Sequence, residues 1–173
     1  MGEHEDRFAA LVARATAEPR PVVLIDGGSG AGKTSLGERL APAIDAQLVS
    51  LDDIFPGWDG LENGSAAVVR DVLRSGDPGW RGWDWTAGTA AGWHPLDPDR
   101  ALVVEGCGAL SRAARDRATL GVWVELDTAE RKRRALARDG DAYAPHWDRW
   151  ARQEAAFWAR EHPWELADVT WPG

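Results

Sequence analysis

The stretch that decides the fold is GGSGAGKTS, residues Gly27–Ser35, which directly follows the apolar run PVVLID at 21–26. Residues 27–34 match the pattern G-x-x-x-x-G-K-[ST], and a helix-forming segment comes next. Glycines let a backbone wrap closely around an anion, and the positive end of a helix dipole favours negative charge at the same place. The order of strand, glycine loop and helix therefore predicts a site for the phosphates of a nucleotide.

Each residue of this loop has an expected role. Lys33 is expected to reach the β- and γ-phosphates as a catalytic cation, and the Thr34 hydroxyl to coordinate Mg²⁺. The alternative is a glycine turn with a chance lysine, which the flanking strand and helix disfavour. The residues predicted to bind ATP are Gly27, Gly28, Ser29, Gly30, Ala31, Gly32, Lys33, Thr34 and Ser35.

Length and composition limit the class of protein. A chain of 173 residues is expected to form a single domain, 1–173. Its apolar runs are only a few residues long, so we expect no membrane segment, no signal peptide and a cytoplasmic location. The single cysteine, Cys107, cannot form an internal disulfide. A net charge of -8 argues against broad nucleic-acid binding, and the oligomeric state stays open.

Short apolar segments recur along the chain and predict strands. They are QLVSL at 47–51, ALVVEG at 101–106, GVWVELD at 121–127 and ADVTW at 167–171. The first three are continuous rather than alternating, as in strands that are buried on both faces of a parallel sheet. Helical patterns separate them, at 5–17, 33–44, 65–75, 109–118, 128–138 and 146–161. We therefore predict an α/β fold with three layers, in which helices flank a mostly parallel five-stranded sheet.

Carboxylates stand where the second and third of these strands end. Ligands of parallel α/β sheets bind beyond the carboxyl ends of the strands. Asp52 is therefore predicted to receive the proton of an attacking hydroxyl or to contact Mg²⁺. Glu105 is predicted to bind Mg²⁺ directly or through water. The alternatives are a helix cap or solvated turn for Asp52 and Asp53, and a buried ion pair for Glu105. Asp127 is interpreted as a helix cap.

Three arginines share one face of the helix predicted at 128–138. Arg134 and Arg138 are predicted catalytic residues, because they would neutralise charge on a transferred phosphoryl group. For Arg131, a solvated basic face paired with Glu130 is an equal alternative. The following turn and the segment DAYAPH predict a lid at about 138–148 that excludes water.

The interval at about 53–100 is longer than one crossover helix requires, and we interpret it as an acceptor-binding insert. Its second half, 77–98, is rich in Gly, Pro and Trp and is interpreted as irregular; its tryptophans argue against disorder. Each tryptophan ring could bind the acceptor or, alternatively, pack in a small core over the sheet. The candidate acceptor-binding residues are Asp53, Phe55, Trp58, Trp83, Trp85, Trp93 and His94.

The lid and the insert favour transfer to a second substrate over hydrolysis. The chain resembles the uridine kinase-like branch of P-loop kinases, on GGSGAGKTS, SLDDIF at 50–55, VVEG at 103–106, ARDG at 137–140 and HPWELADVT at 162–170. The resemblance implies transfer of the γ-phosphoryl group of ATP, with Mg²⁺, to a hydroxyl of a small molecule, above all a nucleoside. It also implies Asp52 as base, Glu105 as a Mg²⁺-associated acid, and Arg134 and Arg138 as lid arginines.

The sequence also departs from that branch. Phe55 stands where the family usually has Tyr, Ile54 stands where it has Phe, and the Trp-rich stretch 80–93 does not match the family's acceptor region. The reaction is therefore predicted more firmly than the acceptor. A nucleotide, sugar, vitamin or antibiotic acceptor stays open, as does a regulatory ATPase that transfers nothing.

Overall fold

The computed structural model describes residues 2–173 and contains the predicted sheet. Its five strands are β1 (Val22–Gly27), β2 (Gln47–Ser50), β5 (Leu102–Glu105), β6 (Leu120–Glu125) and β7 (Val169–Pro172). They are parallel and lie in the order β2-β5-β1-β6-β7. Because β1 is central, the glycine loop that follows it leaves the middle of the sheet. The predicted α/β fold is confirmed.

Helices connect the strands and cover the sheet. They are α1 (Glu3–Ala15), α2 (Lys33–Ala43), α3 (Leu61–Ala67), α4 (Arg112–Arg115), α5 (Thr128–Asp139), α6 (Trp147–Glu161) and α7 (Pro163–Leu166). A π-helical turn extends α3 to Val72. The helix α4 begins at Arg112, later than the predicted 109, because the Ser111 hydroxyl accepts the Ala114 N–H and caps it, and it ends at Arg115, before the predicted 118. Within residues 2–173, no helix is both long and apolar enough to cross a bilayer.

Two hydrophobic cores lie on opposite faces of the sheet. Leu24 of β1 belongs to one core, which includes Phe55 and Phe157, whereas Ile25 faces the other, which includes Leu11. All of these side chains are at least 98% buried. Continuous apolar strands therefore supply both cores by alternation, which explains why the sequence shows no period of two.

The Trp-rich part of the insert is a β-hairpin, so its interpretation as irregular is wrong. Strand β3 (Gly79–Asp84) pairs antiparallel with β4 (Thr89–Pro95). A Cβ at Gly79 would lie 2.5 Å from the Trp93 ring, so glycine here makes room for a large aromatic neighbour. These glycines and the prolines at either end conceal the strand pattern in the sequence.

Candidate active site

A cavity of about 700 Å³ opens beyond the carboxyl ends of β1, β2 and β5. Parts of the glycine loop form one wall, and the end of α5 and the turns after it form another. The predicted residues that line it are Ser29, Gly30, Gly32, Lys33, Thr34, Ser35, Asp52, Phe55, Trp58, Trp85, Glu105, Arg134 and Arg138. Residues that the strand-end rule singled out in distant parts of the chain therefore meet at one cavity.

The loop needs glycine because of its backbone and its neighbours. Gly30 has a φ of +82°, and a Cβ there would lie 2.2 Å from the Arg131 carbonyl oxygen. Gly32 has a φ of +103° and directly precedes α2. The first N–H groups of a helix lack partners within the helix, so the start of α2 presents donors to the cavity.

Lys33 is buried at the base of the loop. Its ammonium group donates to the Gly28 carbonyl oxygen at 2.9 Å. Burial acts to lower the pKa of Lys33, but acidic groups around it, including Glu105 and Glu154, outweigh burial and raise that pKa. The amine therefore stays protonated, as binding of phosphate oxygens requires.

Glu105 is almost fully buried beside the start of α2. One of its carboxylate oxygens accepts from the Ser50 hydroxyl at 2.5 Å and from the Thr34 hydroxyl at 3.2 Å. Burial is the main cause that raises the pKa of Glu105, and the charge of Asp52 adds to it. Oxygen donors from Thr34 and Glu105 suit Mg²⁺, which keeps several waters and takes few protein ligands.

A metal at this position would depend on a bound nucleotide. Within residues 2–173, no group of three or more His, Cys, Asp or Glu side chains could hold a metal ion by itself. Mg²⁺ in phosphoryl-transfer sites is bound by one or two protein groups together with substrate phosphates. The arrangement of Thr34 and Glu105 fits that pattern.

Asp52 lies in a single 3-10 turn, Leu51–Asp53, directly after β2. Its side chain is exposed and lines the cavity. Its carbonyl oxygen accepts the indole N–H of Trp85 at 2.8 Å, which joins the hairpin to this strand end. The hairpin therefore reaches the cavity through Trp85.

The three arginines of α5 have separate environments. Arg134 pairs with Glu130 at 2.8 Å and Arg138 with Asp139 at 2.7 Å, and both line the cavity. Arg131 is buried, and its guanidinium donates to the carbonyl oxygens of Ser29 and Leu126, each at 3.2 Å. The solvated basic face considered for Arg131 is therefore wrong, because the Arg131 side chain is buried and binds the backbone of the glycine loop.

Asp127 is a helix cap, as predicted. Its carboxylate accepts the Glu130 N–H at 3.1 Å at the start of α5.

Aromatic rings close the end of the cavity beyond Asp52. Trp58 stacks on Tyr143 with centroids 5.2 Å apart and on His146 at 4.4 Å, and it contacts Trp85 at 5.1 Å. This end of the cavity is therefore built jointly by residues of the insert and of the predicted lid.

Four predicted acceptor residues lie outside this wall. They are Asp53, Trp83, Trp93 and His94. Trp93 covers Gly79 in the hairpin, and His94 stacks on Trp80 with centroids 3.9 Å apart. Burial, followed by the charge of Asp52, raises the pKa of Asp53. The hairpin residues make cross-strand pairs, Trp83 with Ala90, Trp93 with Arg81 and His94 with Trp80, and their contacts with an acceptor stay a prediction.

Sequence reasoning missed several residues of the site. Tyr143 and Trp150 line the cavity, and Glu154 and Asp26 lie beneath the loop. Tyr143 is the only tyrosine of the chain and lies in the predicted lid, a signal that could have drawn attention to it. Glu154 lies within an amphipathic helix, where nothing in the sequence separates it from surface glutamates.

Asp26, the residue before Gly27, is fully buried. It accepts the backbone N–H groups of Gly27 at 2.7 Å, Gly108 at 3.1 Å and Leu110 at 2.9 Å. Burial raises the pKa of Asp26 to about 6, against the lowering effect of these donors and of Lys33. Asp26 therefore fastens the start of the glycine loop to the segment after β5.

Comparison with known proteins agrees with this geometry. No protein-family model matches the chain. It is 30% identical over 118 residues to a shikimate kinase from Corynebacterium efficiens and 32% identical over 127 residues to one from Corynebacterium diphtheriae. These alignments cover 66% and 69% of the chain, and 64% and 65% of the two relatives, so the chain spans just under two thirds of their length.

The fold has a solved counterpart over nearly its whole length. A protein from Bacillus stearothermophilus, described as a possible uridine kinase, superposes with a TM-score of 0.69 and 18% identity. The match covers 98% of this chain and 100% of that one. At this identity the likeness shows the fold alone. The chain has the fold of P-loop kinases, and the predicted resemblance to them is confirmed at that level.

Proposed function

We propose that this protein is an ATP- and Mg²⁺-dependent phosphotransferase that moves the γ-phosphoryl group to a hydroxyl of a small molecule, most favourably a nucleoside. The observation that carries the proposal is the meeting of the phosphate loop, the Thr34–Glu105 pair and Asp52 around one cavity of about 700 Å³. A cavity of this size lies within the usual range for small-molecule sites.

The nucleotide end uses the loop and α2. The backbone from Gly27 to Ser35 and the Lys33 ammonium hold the phosphates, and Thr34 and Glu105 hold Mg²⁺. When bound, the metal neutralises charge on the β- and γ-phosphate oxygens. Arg134 and Arg138 supply further positive charge from the side of α5.

The acceptor end uses Asp52 and the aromatic rings. Asp52 orients the acceptor hydroxyl and takes its proton as the oxygen attacks. General-base groups contribute about 10²–10⁴-fold to such rates. The Trp85 ring, which is 41% exposed, suits a planar base, since stacking on an aromatic ring contributes about 1–3 kcal/mol per base. Trp58 contacts Trp85 and is itself stacked on Tyr143 and His146. In this proposal the insert at 53–100 binds the acceptor and the lid at 138–148 covers it.

A second acceptor class is a hydroxylated carboxylate, which the similarity to two shikimate kinases favours. Such an acceptor needs a cation for its carboxylate. Among residues 2–173, the cationic side chains that line the cavity are Lys33, Arg134 and Arg138, and the proposed mechanism uses all three for phosphate. This charge inventory supports an uncharged acceptor.

The test is incubation of the purified protein with Mg-ATP and separate nucleosides, shikimate, sugars and vitamins, followed by mass spectrometry. A gain of one phosphoryl group on a nucleoside is expected, and it should disappear in the Asp52→Asn variant. If shikimate is phosphorylated and no nucleoside is, the acceptor is a hydroxylated carboxylate and the nucleoside proposal is wrong. ADP formed at the same rate with and without every acceptor would overturn transfer and favour a regulatory ATPase.

A further inference from the structure

Every polar group of Ser29, in the middle of the phosphate loop, is bound by a side chain from beyond β6. Its N–H donates to the Glu154 carboxylate at 2.7 Å. Its carbonyl oxygen accepts from Arg131 at 3.2 Å, and its hydroxyl oxygen lies 2.8 Å from the Tyr143 hydroxyl. The loop is thus held by α5, by the lid turn and by α6 at one residue.

The three side chains that bind Ser29 are buried, so water cannot easily replace Ser29 as their hydrogen-bond partner. Arg131, Tyr143 and Glu154 are 5%, 3% and 2% exposed. The carboxylate of Glu154 also lies 3.6 Å from the Arg131 guanidinium, and the Cys107 thiol donates to it at 3.3 Å. A buried charge is stable only when it is paired and hydrogen-bonded. The Arg131–Glu154 pair meets that condition, because Glu154 also accepts the Ser29 N–H and Arg131 also donates to the Ser29 carbonyl oxygen.

Tyr143 has a second contact on the other side of the cavity. Its ring is stacked on Trp58, with an angle of 18° between the planes, and also contacts Trp147 at 5.5 Å. The ring contacts fix the direction of the hydroxyl toward Ser29. One residue therefore joins the aromatic acceptor end of the cavity to the loop at its phosphate end.

We propose that Tyr143 is a positioning residue that couples the lid to the phosphate loop through the Ser29 hydroxyl, while Arg131 and Glu154 hold the Ser29 backbone. The inference rests on the proposed function, because its consequence is tighter nucleotide binding. A loop that is held in its binding conformation loses less conformational entropy when a ligand arrives. Opening of the lid would remove the hydroxyl contact and loosen the loop.

The first test measures the dissociation constant of Mg-AMP-PNP, an ATP analogue that is not hydrolysed, by isothermal titration calorimetry. Tyr143→Phe removes the hydroxyl and keeps the stacked ring, and Ser29→Ala removes its partner. Each single change is expected to weaken binding about three- to tenfold, the range for one hydrogen bond. The double variant should bind no more weakly than the weaker-binding single variant.

Two results would overturn the coupling. If the effects of the two changes multiply, Ser29 and Tyr143 act independently, and the Ser29 hydroxyl contacts phosphate by itself. If Tyr143→Phe binds like the unsubstituted protein, the hydroxyl contact has no role in nucleotide binding.

A second measurement separates positioning from general stability. Because Tyr143 is the only tyrosine, protein labelled with 3-fluorotyrosine gives one ¹⁹F resonance. Ser29→Ala should shift this resonance, while the thermal midpoint falls by no more than about 4 °C, the shift expected for loss of one hydrogen bond. Ser35→Ala removes a hydroxyl from the same loop and should leave the resonance in place, because the Tyr143 hydroxyl bonds to Ser29. Equal shifts in both variants would overturn the specific contact.

These measurements also distinguish the two proposals. Failure of the unsubstituted protein to bind Mg-AMP-PNP would overturn the proposed function. The ¹⁹F comparison would still decide whether Tyr143 and Ser29 are in contact.

Discussion

The Thr34 hydroxyl lies 3.2 Å from the Glu105 carboxylate, although 71 residues separate them along the chain. The contact arises because β1 and β5 are adjacent and parallel, so that their carboxyl ends meet. Each residue alone has an ordinary structural role, as a helix start or a strand end. Together they form a pair of oxygen donors beside the phosphate loop.

Replacing Glu105 with Gln should lower the apparent affinity of the enzyme for Mg²⁺. The amide keeps the shape of the side chain but removes the charge that attracts a divalent ion. Partners of metal sites typically contribute about 10–100-fold in metal affinity or activity. The concentration of Mg²⁺ at half-maximal rate should therefore rise about tenfold or more in a Mg²⁺ titration.

The matched control is Glu38→Gln, an exposed glutamate on α2. Its Mg²⁺ requirement should stay as in the unsubstituted protein. An unchanged requirement in Glu105→Gln would contradict the metal role.

Replacing Asp52 with Asn should lower kcat about a hundredfold or more, because the amide cannot take the acceptor proton. The dissociation constant of Mg-ATP should change less than about threefold, since the group acts on the acceptor. Steady-state kinetics and direct nucleotide titration measure the two quantities separately.

Asp53→Asn serves as the control, because Asp53 is the adjacent carboxylate and lies outside the cavity wall. It should retain most of the activity. Equal losses in kcat for the two variants would count against Asp52 as the base.

Arg134→Ala should lower kcat about tenfold to a hundredfold with little change in stability. Its guanidinium lines the cavity and would stabilise charge on the transferred group. Arg133 is also bound to Glu130, at 2.6 Å, but is not among the residues that line the cavity. Both pairs are at the surface and screened by solvent, so neither loss should measurably change the free energy of unfolding.

Kinetics and urea unfolding of Arg134→Ala and Arg133→Ala therefore form a matched comparison. Only Arg134→Ala should lower kcat. If both variants lose activity equally, the effect comes from Glu130 and not from the cavity.

Folding stability should depend on pH through Asp26. Its pKa is about 6 in the native protein, against about 3.9 in an unfolded chain. The native state therefore favours the protonated form, and the stability from this group is complete below about pH 4 and is lost as the pH rises through 6. The loss approaches about 3 kcal/mol by pH 7, an order-of-magnitude value.

Asp26→Asn lacks this titration, although it also loses acceptor capacity for the three N–H groups. In urea unfolding followed by tryptophan fluorescence, its stability relative to the unsubstituted protein should improve between pH 4 and pH 7. A difference that is constant over this range would show that Asp26 does not titrate as proposed.

Local sequence patterns predicted the glycine loop and the strands, whereas contacts between distant residues arise only from packing. GGSGAGKTS and the continuous apolar strands predicted the phosphate loop and the parallel sheet, because glycine spacing and apolar runs are local features. The rule that ligands bind beyond the carboxyl ends of parallel strands placed Asp52 and Glu105 at the cavity, since parallel strands end at one edge of the sheet. The capping role of Asp127 was also readable, because its partner is three residues away.

The acceptor side was predictable only in part. Trp58 and Trp85 reach the cavity, whereas Trp83 and Trp93 belong to the outer part of the hairpin. All four are tryptophans of the insert at 53–100, and composition cannot say which ring faces the cavity. The pairing of β3 with β4 fixes the positions of Trp83 and Trp93, and a tertiary contact brings Trp58 against Trp85.

The sequence by itself determined where the glycine loop lies and predicted it as the phosphate site, since the pattern of its glycines, its lysine and the helix after it is local. Tertiary structure alone decided what holds that loop in place. Ser29 is bound by Arg131, Tyr143 and Glu154, which lie 102, 114 and 125 residues away. Burial turns these ordinary residues into specific partners, because a polar group removed from water must find its hydrogen bonds within the fold.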